Sequence, residues 1–310
     1  MTTLPGMPNN GDSTSNFLSF FKHVKYEYLI AGISGGVVST LAVHPFDLLK
    51  IRLEVNDGLP SSRPQYSGFL HAVKTIFKEE GTVGFYRGVT PNCFGAGAAW
   101  GFYFYFYNAI KTQMASRSTS ATLRPDQHML AAAQAGVLTL VMTNPIWVVK
   151  TRMCLQYNSV ERQYPSMMQA FVKIFKQEGV AGLYKGFVPG VFGVSHGALQ
   201  FMAYEEMKRY HAKYYNDAGM QKMGTLEYLV FAAVSKLFAT SATYPYQVVR
   251  ARLQNQHTQY NGVLNCIART WKYEGYRGFY KGLVPNLLRV TPATAITFVV
   301  YENIAKFLVK

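Results

Sequence analysis

Three short motifs, spaced one hundred residues apart, carry the most informative charges in the chain. They are HPFDLLKIR from His44, NPIWVVKTR from Asn144 and YPYQVVRAR from Tyr244. Each contains a proline and two cations at fixed positions: Pro45, Lys50 and Arg52, then Pro145, Lys150 and Arg152, then Pro245, Arg250 and Arg252. Ammonium and guanidinium groups donate charge-assisted hydrogen bonds to carboxylates and phosphates. The motifs therefore predict either ion pairs inside the protein or a site for an anionic ligand.

The position two residues after each proline breaks this regularity. It is Asp47 in the first copy but Trp147 and Gln247 in the other two. On an α-helix this position shares a side with the cation three residues further on. That side carries one acid against three bases, so three complete ion pairs cannot form on it. The surplus of positive charge favours an anionic ligand.

Two further cations interrupt apolar stretches of the chain. Lys236 and Arg289 stand at positions where other copies of the pattern have glycine. An unpaired charge in hydrocarbon costs several kcal/mol, so both side chains should face a water-filled cavity. Snorkelling to the membrane surface is the alternative, which the depth of Lys236 makes difficult. With the motif cations they would form a cationic path of five residues: Lys50, Lys150, Arg250, Lys236 and Arg289.

The motifs belong to a unit that occurs three times. Each copy continues with an acid and a glycine, then with an aromatic residue, a base and a glycine: Glu80-Gly81 with Tyr86-Arg87-Gly88, Glu178-Gly179 with Tyr184-Lys185-Gly186, and Glu274-Gly275 with Tyr280-Lys281-Gly282. A long apolar run precedes each proline motif, and a second one follows the last glycine. A short amphipathic helix lies between them and ends at the glycine after its acid.

This pattern predicts two membrane-spanning helices and one surface helix in each unit, hence six spans. A proline inside a spanning helix removes a backbone hydrogen bond and bends the helix. Pro45, Pro145 and Pro245 should therefore draw three of the spans together at one end. The alternative is that these prolines simply end their helices.

Composition agrees with a membrane protein that has an anionic partner. Of 310 residues, 49% are hydrophobic and only 15% are charged, with 31 Lys and Arg against 16 Asp and Glu. The bases are spread over all three units without a basic cluster, which argues against nucleic-acid binding. Neither a disulfide framework nor a metal site is indicated by the widely spaced Cys93, Cys154 and Cys266. Residues 1–25 lack the pattern of a signal or transit peptide and are expected to form a disordered tail.

These motifs resemble those of the mitochondrial carrier family, whose signature is Pro-x-acid-x-x-base-x-base followed by acid-Gly and aromatic-base-Gly. The match runs from about Tyr26 to Phe307. The resemblance implies an all-α membrane protein with six transmembrane helices in three pseudo-threefold repeats, each with a short amphipathic matrix-side helix. The repeats are expected over residues 26–115, 126–215 and 224–310. It also implies a multi-pass protein of the inner mitochondrial membrane, with both termini toward the intermembrane space and alternating access to a central cavity.

The resemblance further implies two gates. A matrix gate would contain the residues after the three prolines, with one glutamine as a brace beneath them: Asp47, Lys50, Lys150, Arg250, Gln247 and Gln254. A cytoplasmic gate would use the pattern aromatic-acid-x-x-base, here represented by Lys111, Glu205, Lys208 and Glu302. Both gates are incomplete, because the first has a single acid and the second permits at most two pairs.

Trp147 has two interpretations. It is a packing residue of the kind common at membrane interfaces, or its indole stacks against a flat heterocycle in the cavity, a contact worth about 1 to 3 kcal/mol in nucleic-acid systems. The second would explain the missing acid. His196, also in a span, either lines the cavity or packs within the protein. The expected substrate-binding residues are Trp147, Lys236, Arg289, Lys150, Arg250 and Lys50.

The segment Pro145-Ile146-Trp147 is similar to a branch of the family that carries pyrimidine nucleotides, NAD, FAD and folate. Longer stretches narrow the resemblance to carriers of folate and FAD: KGFVPGVFGVSHGALQFMAYE, ATYPYQVVRARLQNQH and RVTPATAITFVVYEN. FAD or a folate is thus expected as the transported substrate, with no prosthetic group. Pyrimidine nucleotides, NAD or another nucleotide cofactor are the alternative.

An enzyme is the alternative from a different class. Lys236 would then act as a base or form a Schiff base, but the sequence offers no nucleophile paired with a base. We therefore expect a transporter and not an enzyme. We also expect a monomer that binds an acidic inner-membrane lipid such as cardiolipin.

Overall fold

The computed structural model describes residues 26–57, 64–117, 124–157, 163–216, 224–257 and 260–308. The tail predicted over residues 1–25 lies outside this part of the chain. All regular structure in the described part is helical: α1 Tyr26–Glu54, α2 Phe69–Gly84, α3 Val89–Arg117, α4 Pro125–Cys154, α5 Met167–Leu183, α6 Phe187–Phe192, α7 Ser195–Asn216, α8 Thr225–Gln254, α9 Val263–Gly278 and α10 Leu283–Leu308. The predicted all-α class is confirmed.

The helices follow the predicted order of long, short and long in each repeat. The second repeat differs because its last helix is divided into α6 and α7, next to Gly193. A Cβ atom at Gly193 would lie 2.8 Å from the hydroxyl of Tyr246. A larger residue at position 193 would therefore require Tyr246 of α8 to shift.

Two compact units can be distinguished. The larger comprises Val43–Thr291, and the smaller comprises the described residues before Val43 and after Thr291. In the smaller unit the hydroxyl of Ser39 donates a hydrogen bond to the carbonyl of Ala293 at 2.8 Å. The larger unit contains the three proline motifs and all three short helices.

Each proline lies inside a helix rather than at its end. Pro45, Pro145 and Pro245 are followed by nine further helical residues in α1, α4 and α8. The alternative that they end their helices is therefore excluded. Bending at these positions remains a prediction from the missing backbone donor.

Two segments of the described chain are apolar and long enough to cross a membrane, Asp126–Cys154 and Val263–Ile304. Six spans were predicted from the sequence. A helix that turns a polar side to a cavity has a lower mean hydropathy even though its other side is apolar, so mean hydropathy alone does not identify it as a membrane span. In α7 the charged residues Glu205, Glu206 and Lys208 lower the mean hydropathy.

The short helices break where the sequence predicted. Gly81, Gly179 and Gly275 have φ values of 66°, 65° and 61°, in the left-handed region that favours glycine. Each glycine directly follows the acid that recurs at the same position of every repeat. The turn at the glycine therefore leaves the carboxylate at the end of the regular helix. The acids are Glu80, Glu178 and Glu274.

These acids bind the second cation of each motif. The guanidinium groups of Arg52, Arg152 and Arg252 are buried, and each makes two contacts with its carboxylate, the shorter at 2.5 Å in all three repeats. The longer contacts measure 3.0, 2.8 and 2.9 Å. Hydrogen bonds from Arg152 lower the pKa of Glu178 to about 2. Glu178 therefore stays ionised at physiological pH, and its stabilising contribution is lost only as the pH falls toward 2.

The same arginines join each repeat to the next. The Nε atom of Arg52 donates to the carbonyl of Cys154 at 3.1 Å, that of Arg152 to the carbonyl of Gln254 at 3.3 Å, and that of Arg252 to the carbonyl of Glu54 at 2.9 Å. The acceptors are the last residues of α4, α8 and α1, whose carbonyls lack partners within their helices. The three contacts form a closed ring, in which the third repeat returns to the first.

Glu80→Gln is expected to lower the free energy of unfolding by about 3 to 5 kcal/mol, because Arg52 and its buried charge lose their counter-ion. Asp126→Asn is the matched control. It breaks a pair with Arg124 whose side chains are 77% and 65% exposed, and such pairs contribute about 0 to 1 kcal/mol. Unfolding of the detergent-solubilised protein measures both variants. Equal losses would contradict the role assigned to the buried arginine.

Candidate substrate cavity

A cavity of about 290 Å³ lies within the larger unit, between the three proline helices, the start of α7 and the first two turns of α10. Its charged lining contains two carboxylates, Asp47 and Glu54. Five cations face them: Lys50, Lys150, Lys236, Arg250 and Arg289. The structure thus brings together all five residues of the predicted cationic path. Trp147, Gln247, Gln254 and His196 lie in the same wall.

Asp47 is bound by cations from other helices. Its Oδ1 atom lies 3.2 Å from Nη1 of Arg289, and its Oδ2 atom lies 3.6 Å from Nζ of Lys150. The amide of Asn92 also donates to Oδ2 at 3.0 Å. This carboxylate, 6% exposed, therefore ties α1 to α4, to α10 and to α3.

The carboxylate of Asp47 is positioned through a chain of hydrogen bonds. His44 contacts the carbonyl of Arg87 through Nε2 at 3.0 Å, so this nitrogen must carry the proton. Its Nδ1 atom then accepts from the amide of Asn92 at 3.1 Å. Because one amide nitrogen of Asn92 donates to both His44 and Asp47, the orientation of the acid is fixed by the backbone of the following loop.

The residue before each proline makes this loop contact in all three repeats, which the sequence did not predict. Asn144 donates to the carbonyl of Leu183 at 3.0 Å, and the hydroxyl of Tyr244 donates to the carbonyl of Lys281 at 3.2 Å. His44 uses its ring nitrogen for the same purpose. Three chemically different side chains serve one structural role, so a search for identical residues does not find them.

The cavity contains a second acid besides the single acid predicted at the motif positions, because Glu54 also lines it. Its side chain is 3% exposed, and its Oε1 atom lies 3.8 Å from Nζ of Lys50. Lys50 also donates to Oε1 of Gln247 at 2.7 Å. Glu54 follows Lys50 by four residues, which is the spacing of a helical ion pair and the signal in the sequence that could have identified it.

The other predicted members of the matrix gate make neutral contacts. Arg250 donates to the side-chain oxygen of Asn144 at 3.2 Å. Gln254 accepts from the hydroxyl of Thr151 at 2.7 Å and donates to the carbonyl of Lys185 at 3.3 Å. Gln254 thus joins α8 to α4 and to the loop before α6. Neither of these two contacts is with an ion pair, so the predicted role of Gln254 as a brace beneath one stays a prediction.

The indole of Trp147 is part of the cavity wall. Its nitrogen donates to the hydroxyl of Thr143 at 3.2 Å, and the ammonium of Lys150 lies 5.4 Å from the ring centroid. A Cβ atom on Gly95 would lie 3.3 Å from the indole edge. The ring therefore packs against α3 and carries a cation over one face, as expected for a cation–π contact.

His196 serves both of the interpretations that the sequence left open. It lines the cavity, and its Nδ1 atom lies 3.0 Å from the hydroxyl of Thr243. That hydroxyl donates its only hydrogen to the carbonyl of Ala239 at 2.7 Å. His196 must therefore be the donor to Thr243, which joins α7 to α8.

The residues of the predicted cytoplasmic gate are not among those that line this cavity. Lys208 and Glu205 pair within α7 at 3.2 Å, and about a third of each side chain is exposed. Lys111 is exposed on α3, and Glu302 is exposed on α10 in the smaller unit. Contacts across the gate therefore remain a prediction.

Comparison with known proteins follows the threefold pattern. A family model described as mitochondrial carrier protein matches residues 22–118, 122–215 and 221–310. Folate transporter 1, chloroplastic, of Arabidopsis thaliana is 42% identical over 92% of this chain and 96% of its own length. Nicotinamide adenine dinucleotide transporter 2, mitochondrial, of the same plant is 39% identical over 89% of this chain and 78% of its own length. The mitochondrial FAD carrier protein of Saccharomyces cerevisiae is 33% identical over 89% of this chain and 95% of its own length.

Asp47→Asn is expected to make the cavity bind inorganic anions more tightly, because Lys150 and Arg289 lose a competing carboxylate. Without ligand, the melting temperature should fall. With pyrophosphate, it should rise by more than in the unaltered protein, since the stabilisation by a ligand grows with the logarithm of one plus the ratio of its concentration to its dissociation constant. Thermal unfolding at several pyrophosphate concentrations measures both effects.

Glu205→Gln is the control for this experiment, since it removes a carboxylate outside the cavity. A pyrophosphate response no larger in Asp47→Asn than in Glu205→Gln would contradict the assignment of Asp47 as the competing group.

Proposed function

The chain belongs to the mitochondrial carrier family, and we propose that it transports an anionic cofactor with a flat heterocycle, FAD or a folate, across the inner mitochondrial membrane. Members of this family are membrane transporters and not enzymes. In the proposed cycle the cationic cavity is reached from each side in turn. The observation that carries the proposal is the charge of that cavity.

Five cations against two carboxylates leave the cavity with a surplus of positive charge when both acids are ionised. Such charges repel one another, and the repulsion is strong because the surroundings have a low dielectric constant. An anion with two or three charges relieves it. Phosphates and carboxylates also match the donor geometry of Arg250 and Arg289.

The names of the relatives support a heterocyclic anion. Folate, NAD and FAD, which those names mention, share a flat ring system and a negatively charged portion. Trp147 adds an aromatic surface in the position where an acid would complete an ion pair. NAD and pyrimidine nucleotides remain candidates on the same grounds. The charge of the cavity supports an anionic heterocyclic substrate in general, and competition between substrates must rank the individual compounds.

The enzymatic alternative depended on Lys236 as a base. In the structure this lysine shares a cavity with four other cations, an arrangement that suits anion binding. The predicted role of Lys236 is therefore substrate binding. Inner-membrane location, termini toward the intermembrane space, cardiolipin binding and a monomeric state accompany the proposal as predictions from the family.

Competition in proteoliposomes tests the substrate. The purified protein is reconstituted and the uptake of labelled FAD is measured against excess FMN, reduced folates, NAD, pyrimidine nucleotides and coenzyme A. We expect FAD and reduced folates to inhibit most strongly, with chemically unchanged substrate recovered from the lumen. Absence of FAD and folate uptake, together with uptake of NAD or a pyrimidine nucleotide, would replace the proposed substrate by one of the alternatives.

Trp147→Ala is expected to raise the apparent Michaelis constant for FAD about 5- to 150-fold, because stacking on an aromatic side chain is worth about 1 to 3 kcal/mol. Trp147→Phe, which keeps an aromatic ring, is the matched variant and should retain most of the affinity. Initial uptake rates over a range of FAD concentrations measure both. An unchanged constant in Trp147→Ala would exclude the stacking role and leave Trp147 as a packing residue.

A further inference from the structure

A second cavity, of about 660 Å³, lies between α3, α4 and α7. We call it the apolar cavity. One wall consists of small residues of α4, namely Ala132, Ala133 and Gly136, and larger apolar side chains stand beside it, namely Tyr103, Met129 and Phe201. A wall without long side chains is flat, so the shape suits a planar ring better than a branched ligand.

One corner of the apolar cavity is polar. The hydroxyl of Tyr107 lies 2.9 Å from Nδ1 of His128, and His128 lines the cavity. An imidazole has a second nitrogen that donates or accepts according to its tautomer. Heterocycles such as isoalloxazine and pteridine carry carbonyl and amide groups at the ring edge, which require such a partner.

The apolar cavity lies on the same side of α4 as the cationic cavity. Met129, Ala132 and Ala133 line the first, and Trp147, Lys150 and Thr151 line the second. Each residue of the second set follows its counterpart by eighteen positions, which equals five turns of an α-helix, or about 27 Å along its axis. Both cavities are therefore lined by residues on the same side of this helix.

The two cavities are each bordered by a residue at the same position of a repeat. Gly136 borders the apolar cavity and lies nine residues before Pro145, and Lys236 borders the cationic cavity and lies nine residues before Pro245. Equivalent positions in a repeat lie at equivalent heights along their helices. A ring beside Gly136 would thus hold its anionic tail at the height of Lys236.

The cationic cavity alone is too small for the whole cargo. Its volume of about 290 Å³ lies just below the roughly 300 to 1,000 Å³ of sites for drug-sized ligands. One face of the Trp147 indole is also occupied by Lys150, and its edge packs against α3. The ring system of an arriving cofactor therefore needs another place while the gate around Asp47 is closed.

We propose that the apolar cavity is a separate binding subsite for the flat, uncharged ring of the cargo, while the anionic tail extends toward Lys236 and the cationic cavity. The inference rests on the proposed function and adds to it a two-part mode of recognition. Stacking on Trp147 then belongs to the later stage of transport, when Lys150 has moved to the anion.

The test separates the two parts with two competitors. Riboflavin carries the ring without phosphate, and inorganic pyrophosphate carries the charge without a ring. Both are measured as inhibitors of FAD uptake in proteoliposomes, and as stabilisers of the purified protein in thermal unfolding. Ala133→Leu places a larger side chain in the apolar cavity and should raise the inhibition constant of riboflavin at least tenfold, with that of pyrophosphate changed less than twofold.

Two variants serve as controls. Lys236→Gln should produce the reverse pattern, weakening pyrophosphate and leaving riboflavin within twofold. Ala242→Leu makes the same substitution at an exposed position of α8 outside both cavities and should change neither constant.

Riboflavin that neither inhibits nor stabilises the unaltered protein would overturn the proposal, as would an Ala133→Leu variant that binds riboflavin normally. The same holds if Ala133→Leu alters only the dependence of activity on added phospholipid, since the cavity would then hold a lipid chain. Failure of the proposed function is recognised separately. It would appear as absent FAD and folate uptake in the unaltered protein, whereas the thermal measurement of riboflavin binding requires no transport.

Discussion

Three buried guanidinium groups determine how the rest of the molecule is arranged. A buried charge is tolerated only when its hydrogen-bonding capacity is used, and Arg52, Arg152 and Arg252 use theirs in the same way. Each binds a carboxylate of its own repeat and the last carbonyl of a helix in the next repeat. Because these contacts fix the ends of α1, α4 and α8, the residues one turn earlier on each helix are directed into one cavity. The positions that vary among the motifs are thus held by positions that do not.

This division explains why the motifs repeat their cations and not their acids. The second cation of each motif has a structural partner, so its replacement would leave a buried charge unpaired. The first cation faces the cavity, where a ligand can supply the opposite charge. A full set of acids at positions 47, 147 and 247 would neutralise Lys50, Lys150 and Arg250 within the protein. With Trp147 and Gln247 in two of these places, positive charge stays available, although Glu54 reduces it more than the motif alone suggests.

The sequence predicts whatever depends on identity and spacing. The helical repeats, the breaks at Gly81, Gly179 and Gly275, and the cavity position of Lys236 and Arg289 follow from patterns within a few dozen residues. Contacts set by tertiary packing do not follow. His44, Asn144 and Tyr244 share a role without sharing chemistry, and Glu54 takes part because its helix continues past the motif. The division between α6 and α7 lies beside Tyr246 of another helix. The apolar cavity has no charge or motif that a linear pattern can reveal.

The two cavities divide the task of recognition unequally. Long-range attraction of an anion depends on net charge and hardly on what the charge is attached to. The cationic cavity therefore suits any cofactor with phosphates or carboxylates, which agrees with relatives named for folate, NAD and FAD. Discrimination among such cargoes must arise where their rings differ, in contacts that are short-ranged and sensitive to shape. The wall formed by Ala132, Ala133 and Gly136 has this character, because one added methyl group there removes space that a ring would occupy. Selectivity for the ring can thus change at uncharged positions while every cation stays in place.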